Sequence, residues 1–142
     1  MQRIVKCNSR DYGSLVDIWE SSVRATHDFL NERDIISIKS ALIPDYFPNV
    51  NLYGITENDK HIGFIGLNHD KIEMLFINCS HFGNGFGSML IEFAKRQGAA
   101  KVDVNEQNHY AVKFYQANGF NVTGRDETDD AGRPFPILHM SL

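Results

Sequence analysis

Residues 72–90 read IEMLFINCSHFGNGFGSML, and the fold turns on them. An apolar run, Ile72 to Ile77, stops at a polar bend. Three glycines follow at alternate positions, Gly83, Gly85 and Gly87. Phe86, Met89, Leu90, Phe93 and Ala94 then recur at helical spacing. This is a buried strand entering a glycine loop that opens an amphipathic helix. Glycine lets successive backbone N–H groups turn toward one point, and the helix start adds the positive end of its dipole. Together they make a cradle for a phosphate or pyrophosphate. The same pattern also serves as a tight strand-to-helix turn with no ligand. Two nucleotide-binding patterns fail here. Gly87 is followed by Ser88 and Met89, so the Gly-Lys-Ser/Thr of a P-loop is missing. The third glycine of a dinucleotide loop is missing too: Ser88 or Leu90 stands in its place.

The rest of the chain bounds the reading. Its 142 residues suit one domain with a real core, and 42% hydrophobic residues suit a soluble globular chain. A formal charge of −4 disfavours nucleic acid as a partner. Cys7 and Cys79 have no metal-ligand spacing and no disulfide framework, so no metal and a reducing cytoplasm are expected. The start, Met1-Gln2-Arg3-Ile4-Val5-Lys6, lacks a signal-peptide core, and no segment has the length to span a bilayer.

Around the glycine loop the elements follow in order. Gln2–Cys7 suits a strand. Ser9 can cap a helix that places Leu15, Ile18, Trp19, Ser22 and Val23 on one face. Asn31 can cap a second helix carrying Ile35, Ile38, Leu42 and Tyr46, which Pro44 and Pro48 end. Leu52–Thr56 and Ile62–Asn68 flank the polar turn 57–60 as a hairpin, and residues 68–71 turn into the strand of the opening stretch. Lys101–Asn105 is a strand. Gln107–Asn118 is a helix with Ala111, Phe114 and Tyr115 on one stripe, closed by Gly119. Asn121–Glu127 and Pro136–Leu142 are strands. The order β-αα-βββ-α-β-α-ββ predicts an α/β (α+β) fold: a mixed sheet of about seven strands flanked by four helices.

Asn108-His109-Tyr110-Ala111-Val112-Lys113-Phe114-Tyr115-Gln116-Ala117-Asn118-Gly119-Phe120 matches an Asn-x-x-Ala-x-x-apolar-Tyr-x-x-x-Gly-Phe pattern at every fixed position. Gly85 and Gly87 match the glycines of (Gln/Arg)-x-x-Gly-x-Gly. In this order, separated by one strand, the two motifs resemble the GNAT superfamily of acetyl-CoA-dependent N-acetyltransferases. Ala25 to Leu30, Asn105 to Asn108 and the tail from Thr123 to Pro136 extend the similarity to the small bacterial YjaB-type group. Phe82 departs from the pattern, standing where the family usually has Gln or Arg, which removes one polar contact to the coenzyme.

The resemblance implies one acetyltransferase domain over 1–142 that moves an acetyl group from acetyl-CoA, as cosubstrate, to a primary amine in a ternary complex. The amine belongs to a small molecule, a protein lysine or an N-terminus. It implies a fourth and a fifth strand that run parallel and splay apart. The cofactor residues are then Phe82, Gly83, Asn84, Gly85, Phe86, Gly87 and Ser88 through their amides. The backbone of Phe76 and Ile77 serves the thioester arm and the oxyanion, with Asn108 and Tyr115 beside them. Asn108 can equally cap its helix.

Tyr115 is the candidate general acid, since an unperturbed pKa of about 10 keeps it protonated at neutrality. By periodicity alone it reads as a core tyrosine. Glu73, inside an apolar strand, is expected to be partly desolvated and is the candidate base; otherwise it is a strand-start glutamate reaching solvent. His27, in the turn after the first helix, is a second candidate base. His81 and His109 read as surface residues and Trp19 as core. Asp126, Glu127, Asp129 and Asp130 form a solvated acidic loop that could draw in a cation. An acyl-cysteine at Cys79 has no paired base. A non-catalytic acyl-CoA sensor of the same fold is the alternative function. The acceptor, and whether the chain is a monomer or a homodimer, stay open.

Overall fold

The computed structural model describes residues 2–142. The strands are β1 (Gln2–Lys6), β2 (Asn51–Glu57), β3 (Lys60–Asn68), β4 (Lys71–Ile77), β5 (Lys101–Asn105), β6 (Asn121–Asp126) and β7 (Ile137–Ser141). The helices are α1 (Tyr12–Thr26), α2 (Glu32–Ala41), α3 (Phe86–Arg96) and α4 (His109–Ala117). The strands form one sheet in the order β1-β2-β3-β4-β5-β7-β6. Every neighbouring pair is antiparallel except β4 and β5. The expected mixed seven-stranded sheet with four helices is what the chain forms.

Two apolar clusters cover the sheet. One joins Leu15, Ile18, Trp19 and Val23 of α1 and Ile35 of α2 to Leu52 and Phe64. The other joins Leu90, Ile91 and Ala94 of α3 and Tyr115 of α4 to Ile55, Ile65, Val102 and Met140. Helix α1 buries the five residues that its spacing predicts, Leu15, Ile18, Trp19, Ser22 and Val23, because a 3.6-residue period puts them on one stripe. The β2–β3 hairpin closes through Asn58 and Asp59, both at positive φ (52° and 67°). That two-residue turn matches the twist of its strands.

Two helix boundaries differ from expectation. Asn8, not Ser9, caps the first helical segment: its side chain accepts from the backbone while Asp11 Oδ2 accepts the Asn8 N–H at 2.9 Å. A 3₁₀ turn over Ser9–Asp11 precedes α1. Helix α2 stops at Ala41 and widens into a π-helical turn, Leu42–Tyr46. Pro44 lies inside that turn and has no N–H to continue an α-helix, so Tyr46 is exposed rather than on a core stripe.

Candidate active site

Strands β4 and β5 pair only at Lys71↔Lys101 and Ile72↔Val102. Beyond that point they separate, because β5 keeps its antiparallel pairing with β7 to Asn105 while β4 stays with β3. A β-bulge marks the parting. Gly66 faces Met74 and Leu67 faces Ile72, which leaves Glu73 as the extra residue. A bulge re-aims its side chain and bends its strand. Glu73 is therefore exposed on the wall of the gap, with Lys71 Nζ 3.9 Å away. The bulge takes this carboxylate out of the two-faced apolar pattern of its strand, so it keeps access to solvent with 31% of its side chain exposed.

The register also decides which amides face the gap. Asn78 N–H donates to the Ile62 carbonyl at 2.8 Å. Alternation along an antiparallel ladder then turns the N–H of Phe76 toward β3, and those of Leu75 and Ile77 toward the side β5 has left. Of the two amides expected to face the gap, Ile77 does so; the Phe76 amide belongs to the sheet, and the Leu75 amide faces the gap instead.

At the end of the gap lies the glycine loop. Gly83 (φ 79°) and Gly85 (φ 82°) adopt left-handed backbone, and a Cβ at either would meet no atom within 4 Å. Gly85 is the N-cap of α3. Among the described residues, no hydrogen bond is made by the N–H groups of 83 to 88. Phe82 differs from them, since its N–H donates to Cys79 O at 3.4 Å. The free donors are thus those of Gly83, Asn84, Gly85, Phe86, Gly87 and Ser88, at the positive end of α3. A Cβ on Gly87 would sit 3.0 Å from Phe114 Cζ, so Gly87 lets α4 close against the start of α3. Gly85→Ala is expected to cost roughly 1–2 kcal/mol, the strain of an L-residue in left-handed backbone. It should also weaken coenzyme binding, as urea denaturation and calorimetry would read. Gly13→Ala, in helical backbone with no atom near its Cβ, is the control, and no loss of stability is expected there. Equal behaviour of the two variants would contradict the role given to Gly85.

Gap and loop share a cavity of about 860 Å³, which Glu73, Asp103, His27, Asn108 and Tyr115 also line. Tyr115 is buried between Phe114 and Phe120, at ring distances of 5.2 and 5.6 Å. Its hydroxyl makes no hydrogen bond to any described residue, yet it is not an enclosed orphan atom: it opens on the cavity. Burial pushes its pKa above the ordinary tyrosine value.

Across the cavity, one hydrogen-bond chain ties the end of α1 to the start of α4. Asn108 Oδ1 accepts from Ala111 N–H at 3.1 Å, which caps α4 and turns the amide NH₂ toward His27 Nε2, 3.2 Å away. His27 Nε2 must then accept, so the ring proton is on Nδ1. That nitrogen faces Thr26 Oγ1 at 2.8 Å, whose own proton goes to Ser22 O at 2.8 Å. Burial pushes the His27 pKa down to about 4, against a small opposing pull from Asp28. Both ring nitrogens are occupied and the ring resists protonation. His27 thus lines the cavity from the turn after α1, without the free nitrogen and near-neutral pKa of a base. Its ring packs on Phe29 (5.2 Å), which meets Phe135 (5.9 Å).

Several contacts fall outside the sequence reading. Lys71 Nζ lies 2.7 Å from Asp103 Oδ2. Asp103 Oδ1 lies 2.7 Å from His139 Nδ1, and His139 Nε2 lies 2.8 Å from Asp126 Oδ2. Hydrogen bonds to the two carboxylates, Asp103 first, hold the His139 pKa above its usual value. This charge line crosses four strands. Lys71, Asp103, Asp126 and His139 come from separate strands, and only the β4–β5–β7–β6 register joins them. The acidic loop is partly neutralised: Asp126 meets His139, and Asp129 meets Arg133 at 3.4 Å. His81, expected at the surface, is half-buried, stacks 6.0 Å from Phe86 and lines the cavity. His109 is exposed and Trp19 is core, as expected. Among the described residues no helix is long and apolar enough to cross a membrane.

Comparison with known proteins adds to this geometry. The family profile of the acetyltransferase (GNAT) domain matches residues 38–142. Peptidyl-lysine N-acetyltransferase YjaB of Salmonella typhimurium is 41% identical over 128 residues, 89% of this chain and 88% of that protein. The solution structure of apo YjaB from Escherichia coli superposes with a TM-score of 0.91 at 36% identity, over 99% of this chain and 97% of that one. YncA of Salmonella typhimurium, solved with its cofactor acetyl-CoA, shares the fold: TM-score 0.65 at 19% identity, over 99% of this chain and 92% of that one.

Proposed function

The chain belongs to the acetyltransferase (GNAT) family and is an acyltransferase, and from that premise we propose that it acetylates the side-chain amine of protein lysines with acetyl-CoA. One observation carries the reading. A single cavity joins five loop residues whose amides have no partner among the described residues (Gly83, Gly85, Phe86, Gly87 and Ser88), a parted pair of strands and a tyrosine hydroxyl that is likewise unpaired. The names of the YjaB relatives favour lysine as the acceptor, and the exposed carboxylate of Glu73 on the cavity wall suits an approaching ammonium. Both apolar clusters pack on one sheet, which supports one acetyltransferase domain over 1–142.

The residues divide the work as follows. The amides of 83–88 hold the coenzyme's pyrophosphate. The N–H groups of Leu75 and Ile77 face the arm and receive the negative charge that develops on the carbonyl oxygen; a preorganised donor of this kind contributes about 2.7–4 kcal/mol. Glu73 takes the proton that the lysine ammonium must lose, directly or through water. The amine nitrogen bonds to the carbonyl carbon, the carbon–sulfur bond breaks, and Tyr115 gives its proton to the departing sulfur before regaining one from solvent. His27 holds Asn108, and through it the start of α4, and takes no proton in the reaction.

Incubation with acetyl-CoA and a lysine peptide tests this, read by thiol release and by the peptide's mass. Peptide-dependent release with one acetyl group added per lysine is expected. Glu73→Gln should lower kcat by about 100-fold while leaving acetyl-CoA affinity intact. Coenzyme binding without transfer to any lysine or other amine would favour the sensor instead.

A further inference from the structure

On the side of the sheet that carries α1, away from the glycine loop, three chemically unlike groups meet that the reaction leaves unused. Cys7 follows β1, Asp11 precedes α1 and His61 opens β3. One ligand atom of each lies within 4.8 Å of the others. Asp11 is held in place by the Asn8 cap through Oδ2, and its Oδ1 faces His61 Nε2 at 3.3 Å. With its Nε2 proton given to Asp11, His61 has a bare lone pair on Nδ1. That atom is buried and has no hydrogen-bond partner, the one such side-chain atom among the described residues. The bulge where Ile55 pairs with Gly63 and Thr56 pairs with His61 aims the ring this way.

Gly54 shows where the groups converge. A Cβ there would stand 2.5 Å from His61 Nδ1 and 3.0 Å from Cys7 Sγ. The thiol and the imidazole lone pair thus border one small space, which only a glycine leaves open. A thiolate and an imidazole are donors for a thiophilic divalent cation, whose remaining positions water can fill. A carboxylate behind a ligating imidazole fixes its tautomer and its orientation.

We propose that Cys7 Sγ and His61 Nδ1 form a Zn²⁺ site, with Asp11 behind the imidazole on Nε2, that ties β1, the start of α1 and the β2–β3 hairpin together. On binding, the Cys7 S–H bond breaks, the sulfur bonds to the metal and one proton leaves to solvent. The thiolate on the metal and the Asp11 carboxylate behind the ring offset the charge of the ion. The partial exposure of Asp11 and His61, 28% and 16% of their side chains, gives the ion a way in. The site is independent of acetyl transfer.

The test uses the whole protein, stripped with a chelator and titrated with zinc chloride. One equivalent bound is expected, with release of a proton and a melting temperature that rises with zinc concentration. Cobalt in place of zinc should give a sulfur-to-cobalt charge-transfer band. Cys7→Ser should abolish the band and the thermal shift, and His61→Gln should weaken both. The second variant keeps the test decisive should Cys7→Ser fail to fold. Sub-stoichiometric zinc, or zinc held equally well by both variants, would overturn the proposal. The latter would assign the metal to another group, such as His139 with its two aspartates.

Discussion

Tyr115→Phe is expected to lower kcat for acetyl transfer by about 10²–10⁴-fold, the usual contribution of a positioned acid or base, with little change in acetyl-CoA affinity. The hydroxyl stands in the cavity with no hydrogen bond to the described residues, so phenylalanine removes no bond that holds the fold. The ring packing against Phe114 and Phe120 is retained. Deleting an unpaired, mostly desolvated hydroxyl is neutral or stabilising, so the melting temperature should hold or rise. The raised pKa of Tyr115 keeps it protonated through neutrality, so the loss should be equal at all pH values up to mild alkali. A full loss of turnover together with a fall in melting temperature would make Tyr115 a packing residue and sink its role as the acid.

Acidification should cost the fold on the order of 3 kcal/mol through His27 alone. Its pKa falls from 6.5 in the open chain to about 4 in the fold. Each unit of pKa difference is worth about 1.4 kcal/mol. The sign follows from proton counting. Between those two values the unfolded chain binds a proton that the native ring refuses, so stability falls as pH drops from about 6.5 toward about 4. Protonation would set a new N–H at His27 Nε2 against the Asn108 NH₂. The amide would then have to release either the ring or its cap on α4. His139 acts in the opposite sense. Its raised pKa contributes stability below the unfolded value, and that is lost as pH rises through the folded one. Asp11, Glu20, Glu32 and Asp103, all with lowered pKa, lose their contribution as pH falls through their folded values, in the carboxylate range. Denaturant melts of the wild type and His27→Gln from pH 7 to pH 4 isolate the histidine: the variant should show a much flatter decline. Parallel curves would mean that burial of this ring does not govern the acid sensitivity.

Much of the site is legible in the chain's local patterns. The glycine loop, Tyr115 on an inward stripe and Asn108 as a cap are set by residues within one or two turns of each other. What misleads is register. Glu73 reads as part of a strand apolar on both faces, and only pairing with β3 shows that it is the extra residue of a bulge. Phe76 and Leu75 exchange roles for the same reason. No period within Ile72–Ile77 says which amides turn toward a neighbour and which toward a gap. The pairing of His27 with Asn108, and the line Lys71–Asp103–His139–Asp126, join residues from separate elements and leave no mark in either segment.

By itself the sequence determined the order of elements, the buried face of α1 and the glycine loop before α3, because periodicity, caps and glycines act over a few residues. Only the tertiary structure decided that Glu73 stands in the cavity wall, that His27 is locked as a neutral ring, and that Cys7, Asp11 and His61 converge. Those outcomes depend on which strand lies beside which, and by how many residues each is shifted. Packing of the whole sheet sets that shift, and no single segment carries it.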